Sequence, residues 1–119
     1  MPRAVFVVLT NPASPDQEDE YNEFYDNTHV AEVCQTPGFV SARRFRISDA
    51  REPVGAVGDY GYLALYEIDT DDLAATFEAL KAASPAMTPF PLVGRNGSYG
   101  VFVERVHKTA DRSGRDGGA

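Results

Sequence analysis

Three strand-like segments of this chain are apolar on both faces, and this constrains the fold more than any other feature. Residues 4–9, "AVFVVL", are continuously apolar and rich in β-branched side chains. That pattern suits a strand covered on both sides. In "YGYLALYEI", Tyr60, Tyr62, Ala64, Tyr66 and Ile68 share one face, and Leu63 and Leu65 take the other. In "SYGVFVERVH", Tyr99, Val101 and Val103 oppose Phe102 and Val106. A sheet built from such strands must be covered twice, because an antiparallel sheet facing water alternates apolar with polar residues.

The segments between these strands supply cover for one side only. "TNPASPD" is a turn, and Ser14 or Asp16 can cap a helix whose first turn carries Gln17, Glu18, Asp19 and Glu20. That helix is expected over residues 16–35, ended by Pro37-Gly38. "FVSARRFRI", 39–47, reads as the second strand. "SDAREPVGAVGD" is a loop, and 60–68 is the third strand. "DTDDLAATFEALKAAS" is a second helix with Leu73, Phe77 and Leu80 on one face. "PAMTPFPLVGRNG" is a proline-rich connection, 98–107 is the fourth strand, and 108–119, "KTADRSGRDGGA", has the composition of a disordered tail. The order is β-α-β-β-α-β, an α+β ferredoxin-like domain over 1–107: a four-stranded antiparallel sheet with both helices on one face. Two helices leave the other face bare. A second copy packing its sheet there gives a two-fold homodimer, with the space between the sheets a natural place for a ligand.

Charge and composition remove several function classes. The chain has 119 residues and a net charge of −7, which argues against binding nucleic acid or anionic membrane surfaces. No apolar run approaches the roughly 20 residues that cross a bilayer. The N-terminal apolar run lacks a signal-peptide cleavage pattern, and the one cysteine, Cys34, has no intrachain partner, so a cytoplasmic protein is expected. His29 and His107 stand far apart, so no zinc spacing exists, and no phosphate-cradling glycine motif or nucleophile elbow is present. Neither metal nor cofactor is expected, and the chemistry falls to scattered side chains in a pocket.

Those side chains concentrate in "YNEFYDNTHVAEVCQTPGF". Tyr21, Tyr25 and His29 recur every four residues and form one helix stripe. His29 has an intrinsic pKa near ~6.5, suiting it to proton transfer. Its place near the helix C-terminus favours the charged form, and Asp26 and Glu32 are in reach to orient it. Tyr62 and Tyr66, with Phe6, are expected to line an aromatic-tolerant cavity, Phe90 to approach it from the proline-rich loop, and that loop to act as a lid or part of a dimer seam. Arg43 shares a strand face with Phe39, Phe45 and Ile47, which suggests a buried anionic partner, protein or ligand. Arg44 and Arg46, on the other face, are expected to bridge helix carboxylates. Cys34 reads as a small buried filler.

The stretch "FYDNTHVAEVCQTPGFVSARRF" resembles the dimeric α+β-barrel superfamily, specifically its EthD-like branch. The resemblance lies in an acidic helix start, an aromatic-Tyr-Asp, a His with an acidic residue three on, and Pro-Gly-Phe before an Arg-rich strand. Phe24 stands where tryptophan is frequent, Thr28 where glutamate is, and Ala31 where proline is. The resemblance implies a homodimer with a pocket in each half, bounded by the sheet and the first helix, and a functional His29. The expected activity is a cofactor-independent cyclase, isomerase or lyase acting on a small hydrophobic aromatic or polyketide-like carbonyl compound. His29 would be the acid/base, with Tyr25 holding the developing oxyanion. Two alternatives stand beside it: a cofactor-free monooxygenase of a phenolic substrate, and a non-catalytic small-molecule binding protein.

Overall fold

The computed structural model describes residues 3–89 and 91–105. Four strands form one antiparallel sheet in the order β2-β3-β1-β4: β1 (Arg3–Thr10), β2 (Phe39–Arg46), β3 (Tyr62–Asp69) and β4 (Ser98–Val103). The central pair β1 and β3 runs in register from Arg3 opposite Asp69 to Thr10 opposite Tyr62. The two most apolar strands therefore hold the two central positions. The expected tail, and the strand end at Val106 and His107, lie outside the described residues, as does Phe90.

The first helical run is continuous but not uniform. After a short 3-10 turn (Pro15–Gln17) come α1 (Glu18–Phe24), a π-helical turn (Tyr25–His29) and α2 (Val30–Cys34). The Val30 N–H donates to the carbonyl of Tyr25, five residues back, instead of four. Such wide turns occur mostly singly within helices, and often at functional sites. The run ends at Cys34, close to the expected residue 35, and His29 stands in its last third, near the C-terminal end as expected. Ser14 occupies the N-cap without a side-chain bond to the helix backbone. α3 (Leu73–Ala83) is capped as expected: Asp72 accepts from the Ala75 N–H at 3.0 Å.

Gly38 closes the first run with φ +96°, a conformation that favours glycine. A Cβ there would lie 2.9 Å from Thr76 Oγ1 on α3. The tight approach brings the two helices and the start of β2 together. Immediately after it, a β-bulge between Phe39 and Ser41 shifts the register against β3. Phe39 thereby turns to the helix face, 9% exposed, with Ala42, Arg44 and Arg46 following it on that face. Arg43 and Phe45 turn to the bare face. The expectation that Arg43 and Phe39 share a face is corrected: simple alternation does not count the extra residue of a bulge.

The core lies between the helices and the helix face of the sheet. Tyr21, Tyr66 and Ile68 are its largest fully buried side chains. Two regions stay uncovered. The opposite sheet face leaves Phe45 and Phe102 45% and 59% exposed. The helix layer also stops short of β4, whose Tyr99, Val101 and Val103 are exposed on the side facing the helices.

Candidate functional site

A cavity of about 200 Å³ opens between the sheet and both helices. Its apolar wall is Phe6 and Val8 from β1, Val33 from α2, Leu80 from α3, and Met87 and Val93 from the loop that follows. Its polar lining is Thr10, Tyr25, His29, Tyr66, Ser84 and Tyr99. The loop is fixed over the cavity by main chain: Ala13 N–H donates to the Leu92 carbonyl and Gly94 N–H to the Asn11 carbonyl, each at 2.7 Å. Glu32 adds a side-chain tie, accepting from the Thr88 N–H and hydroxyl at 3.1 Å.

His29 packs between two rings. Phe24 stacks on it at 5.9 Å between centroids, and Tyr25 meets it edge-on at 5.0 Å. Burial pushes its pKa below the ordinary value, the Glu32 charge opposes this, and the Arg44 charge adds to it. The expected preference for the charged form is therefore reversed: desolvation by burial outweighs the helix dipole. The expected orienting carboxylates have other principal partners. Asp26 pairs with Arg44 at 2.8 Å, and Glu32 holds Thr88.

Behind His29 lies a group of buried hydroxyls. Thr10 Oγ1 and the Tyr21 hydroxyl are 2.6 Å apart, and Thr10 is 3% exposed. Tyr25 is 2% exposed. Burial, followed by the neighbouring Tyr21, pushes the Tyr25 pKa up to about 12, while Thr10 and the Arg44 charge pull the other way. Tyr66 is raised further, first by burial and then by Tyr25 and Cys34. Its hydroxyl is inaccessible to solvent, and hydrogen bonding with Tyr25 adds to the rise. Both phenols are firmly protonated at neutral pH, which makes them donors.

The expected site residues divide cleanly. His29, Tyr25, Tyr66 and Phe6 meet around the cavity. Tyr21 and Tyr62 do not line it. Tyr21 lies behind it on Thr10, and Tyr62 donates to Glu18 and accepts from Asn22 Nδ2 at 3.0 Å. Arg43 is not at the site. It is exposed on the bare sheet face, with its guanidinium 5.6 Å from the Phe45 ring. Cys34 is a half-buried thiol whose pKa burial raises, in keeping with a filler.

Arg44 is the residue that strand alternation undervalues. Its guanidinium lies 4.3 Å from the Tyr25 ring centre, 5.1 Å from Tyr62 and 5.2 Å from Tyr21. It donates to Asn22 Oδ1 at 3.0 Å and Asp26 Oδ1 at 2.8 Å. The reading that it bridges a helix carboxylate holds, but it also supports the ring of Tyr25 from behind. Thr10 and Met87 carried no marking in the sequence. Three tyrosines on one helix face and one strand face were the available sign that a buried cation could be accommodated among them.

No family model matches the chain, and no curated protein matches it. Solved structures do. A protein from Shewanella loihica PV-4, provisionally described as a monooxygenase, is 18% identical with a TM-score of 0.55, covering 92% of this chain and 99% of that one. An EthD family protein from Bacillus halodurans C-125 is 16% identical with a TM-score of 0.50, over 88% and 100%. A dimeric ferredoxin-like protein of unknown function from Thermobifida fusca YX is 12% identical with a TM-score of 0.53, over 87% and 92%. At these identities the likeness establishes the fold: the ferredoxin-like α+β architecture expected from the element order, shared with an EthD family protein and with a protein that is dimeric.

Proposed function

We propose that this chain is a cofactor-independent enzyme that transfers a proton on a small hydrophobic carbonyl compound held in the helix-side cavity. One observation carries the reading: His29, whose pKa burial lowers, lines a cavity with an apolar wall beside the buried phenol of Tyr25. His29 takes the proton from the carbon next to the carbonyl, and the electron pair moves to the oxygen. Tyr25 donates a hydrogen bond to that developing oxyanion. Return of the proton at another position gives isomerisation; attack of the enolate on a second carbon gives cyclisation or, in reverse, cleavage. Only a base and hydroxyl donors are asked of the protein.

Oxygenation of a phenolic compound shares the first step, deprotonation by His29, and a structural neighbour provisionally described as a monooxygenase favours keeping it as the second reading. Oxygen uptake with a phenol or quinol separates the two. The same proposal takes the working form as a homodimer, supported by the bare sheet face and by the dimeric neighbour.

Proton abstraction is measurable without the physiological substrate. Cyclohexanone in D2O should lose its α-protons faster with the protein than without it. His29→Asn should cost at least about 100-fold of that acceleration, and Tyr25→Phe about tenfold, in line with general-base and oxyanion contributions. Exchange no faster than with His29→Asn would leave a small-molecule binding protein without catalysis.

A further inference from the structure

We propose that Tyr99 is a specificity-determining residue of the helix-side cavity: its ring carries a second ring of the ligand, so the site prefers compounds of two linked rings to compounds of one. The inference deepens the functional reading above and takes from it only that a ligand occupies this cavity.

Tyr99 belongs to the cavity and to the surface at once. It lines the same cavity as His29, Tyr25 and Phe6. Among the described residues of that lining, only Ser84 and Tyr99 are exposed, so the mouth lies on their side. Of the two, Tyr99 offers a large apolar surface, and it is 64% exposed. The mouth is also close to the proposed chemistry. After burial and Tyr21, Tyr99 is the next neighbour that pushes the Tyr25 pKa up. A ligand held by Tyr25 and His29 that is longer than one ring reaches Tyr99 on its way out.

A row of aromatic rings leads to that mouth. Phe6 stacks on Tyr66 at 5.8 Å between centroids and on Tyr99 at 6.3 Å, with the planes inclined by 29° and 19°. Three nearly parallel rings thus cross the sheet from β3 over β1 to β4. Their exposure rises along the row: Tyr66 is buried, Phe6 half-buried and Tyr99 exposed. Among the described residues, Phe6 is the ring that Tyr99 meets. A ring of the ligand continues the row outward. Offset and edge-on contacts between aromatic rings add to what burial of the same area gives.

Glycine sets the pose of Tyr99. A Cβ at Gly97, two residues back, would lie 2.7 Å from the Tyr99 hydroxyl and 3.1 Å from its ring atom Cε2. The bare backbone there lets the phenol lean over it, where a side chain would push the ring away. A tyrosine held in this way offers a wide contact surface at low cost in side-chain entropy. The exposed rings of Phe45 and Phe102 belong to the bare sheet face, and a homodimer through that face lies across the sheet from Tyr99.

The test is calorimetric titration of the full chain with 4-ethylphenol and 4-(2-phenylethyl)phenol, which differ by the second ring. The two-ring compound should bind about tenfold more tightly to the wild type. Tyr99→Leu, which keeps apolar bulk but no ring, should weaken the two-ring compound about fivefold and leave 4-ethylphenol within about twofold. Tyr99→Phe, which keeps the ring, should bind both as the wild type does. No binding of the two-ring compound, a Tyr99→Leu variant that weakens both compounds equally or neither, or a Tyr99→Phe variant as weak as Tyr99→Leu would each overturn the proposal. Titration reads binding without turnover. Failed proton exchange with the expected titrations removes the catalytic reading and leaves Tyr99 its role, and intact exchange with a normal Tyr99→Leu variant does the reverse.

Discussion

At the scale of single residues, His29 and Arg44 show how little a residue's type says about its state. A histidine beside two carboxylates invites a raised pKa, yet burial decides the other way. The consequence for stability has a definite sign. Between the lowered folded value and the unfolded value near 6.5, the unfolded chain binds more protons, so stability rises with pH across that window. His29's neutral burial is therefore tolerated fully above about pH 6.5 and opposes folding as pH falls through the folded value. Melting temperatures of wild type should drop from pH 7 to pH 5 more steeply than those of His29→Gln; equal slopes would contradict the burial. Arg44→Met removes a charge that lowers His29, so the His29 midpoint, followed by NMR, should move up. It also strips the packing against three tyrosine rings and should cost roughly 1–2 kcal/mol of stability. Arg44→Lys should keep the midpoint but not the two-acceptor contact, because an ammonium lacks the planar fork. His29, Tyr25, Tyr66 and Phe6 were legible in the sequence because residue type and periodicity both marked them. Thr10 was not: a threonine at a strand end has many uses, and only packing put it beside Tyr21.

At the scale of elements, boundaries followed local chemistry and facing followed irregularities. Asp72 caps α3 and Gly38 ends the first helical run, as side-chain chemistry and backbone freedom require. The π-helical turn and the β-bulge have no such signature. Each inserts a residue into a regular repeat, and a one-residue slip sends every later strand side chain to the other face. That is why Arg43 was expected inward and lies outward. Gly38 carries the sharpest prediction at this scale. Gly38→Ala meets both a positive φ and a 2.9 Å contact with Thr76 Oγ1, and should destabilise by about 2–3 kcal/mol in denaturant unfolding. Pairing it with Thr76→Ala should recover the steric part and leave the backbone part, about 1 kcal/mol.

At the scale of the whole molecule, the apolar surface is the unresolved demand. Phe45 and Phe102 on the bare sheet face, and Tyr99, Val101 and Val103 along β4, are large apolar side chains left exposed. The proposed homodimer covers Phe45 and Phe102 on the bare face. Sedimentation at micromolar concentration should give a two-chain species, and Phe102→Glu should shift it toward the monomer while keeping the far-ultraviolet spectrum. A wild-type chain that sediments as a monomer would remove the dimer.

The sequence by itself determined the element order, the sheet's double demand for cover, and the helix that carries His29. These follow from periodicity, capping and turn chemistry, which act within a few residues. Only the tertiary structure decided that the cavity bearing His29 lies on the helix side of the sheet, where the resemblance put it, and not between sheets. It alone decided that Arg44 and not Arg43 packs against the Tyr25 ring, that burial pulls the His29 pKa down, and that the Tyr66 hydroxyl is shut away from solvent. Burial, desolvation and facing depend on residues distant in the chain, here brought together by one bulge, one wide helical turn and one glycine contact.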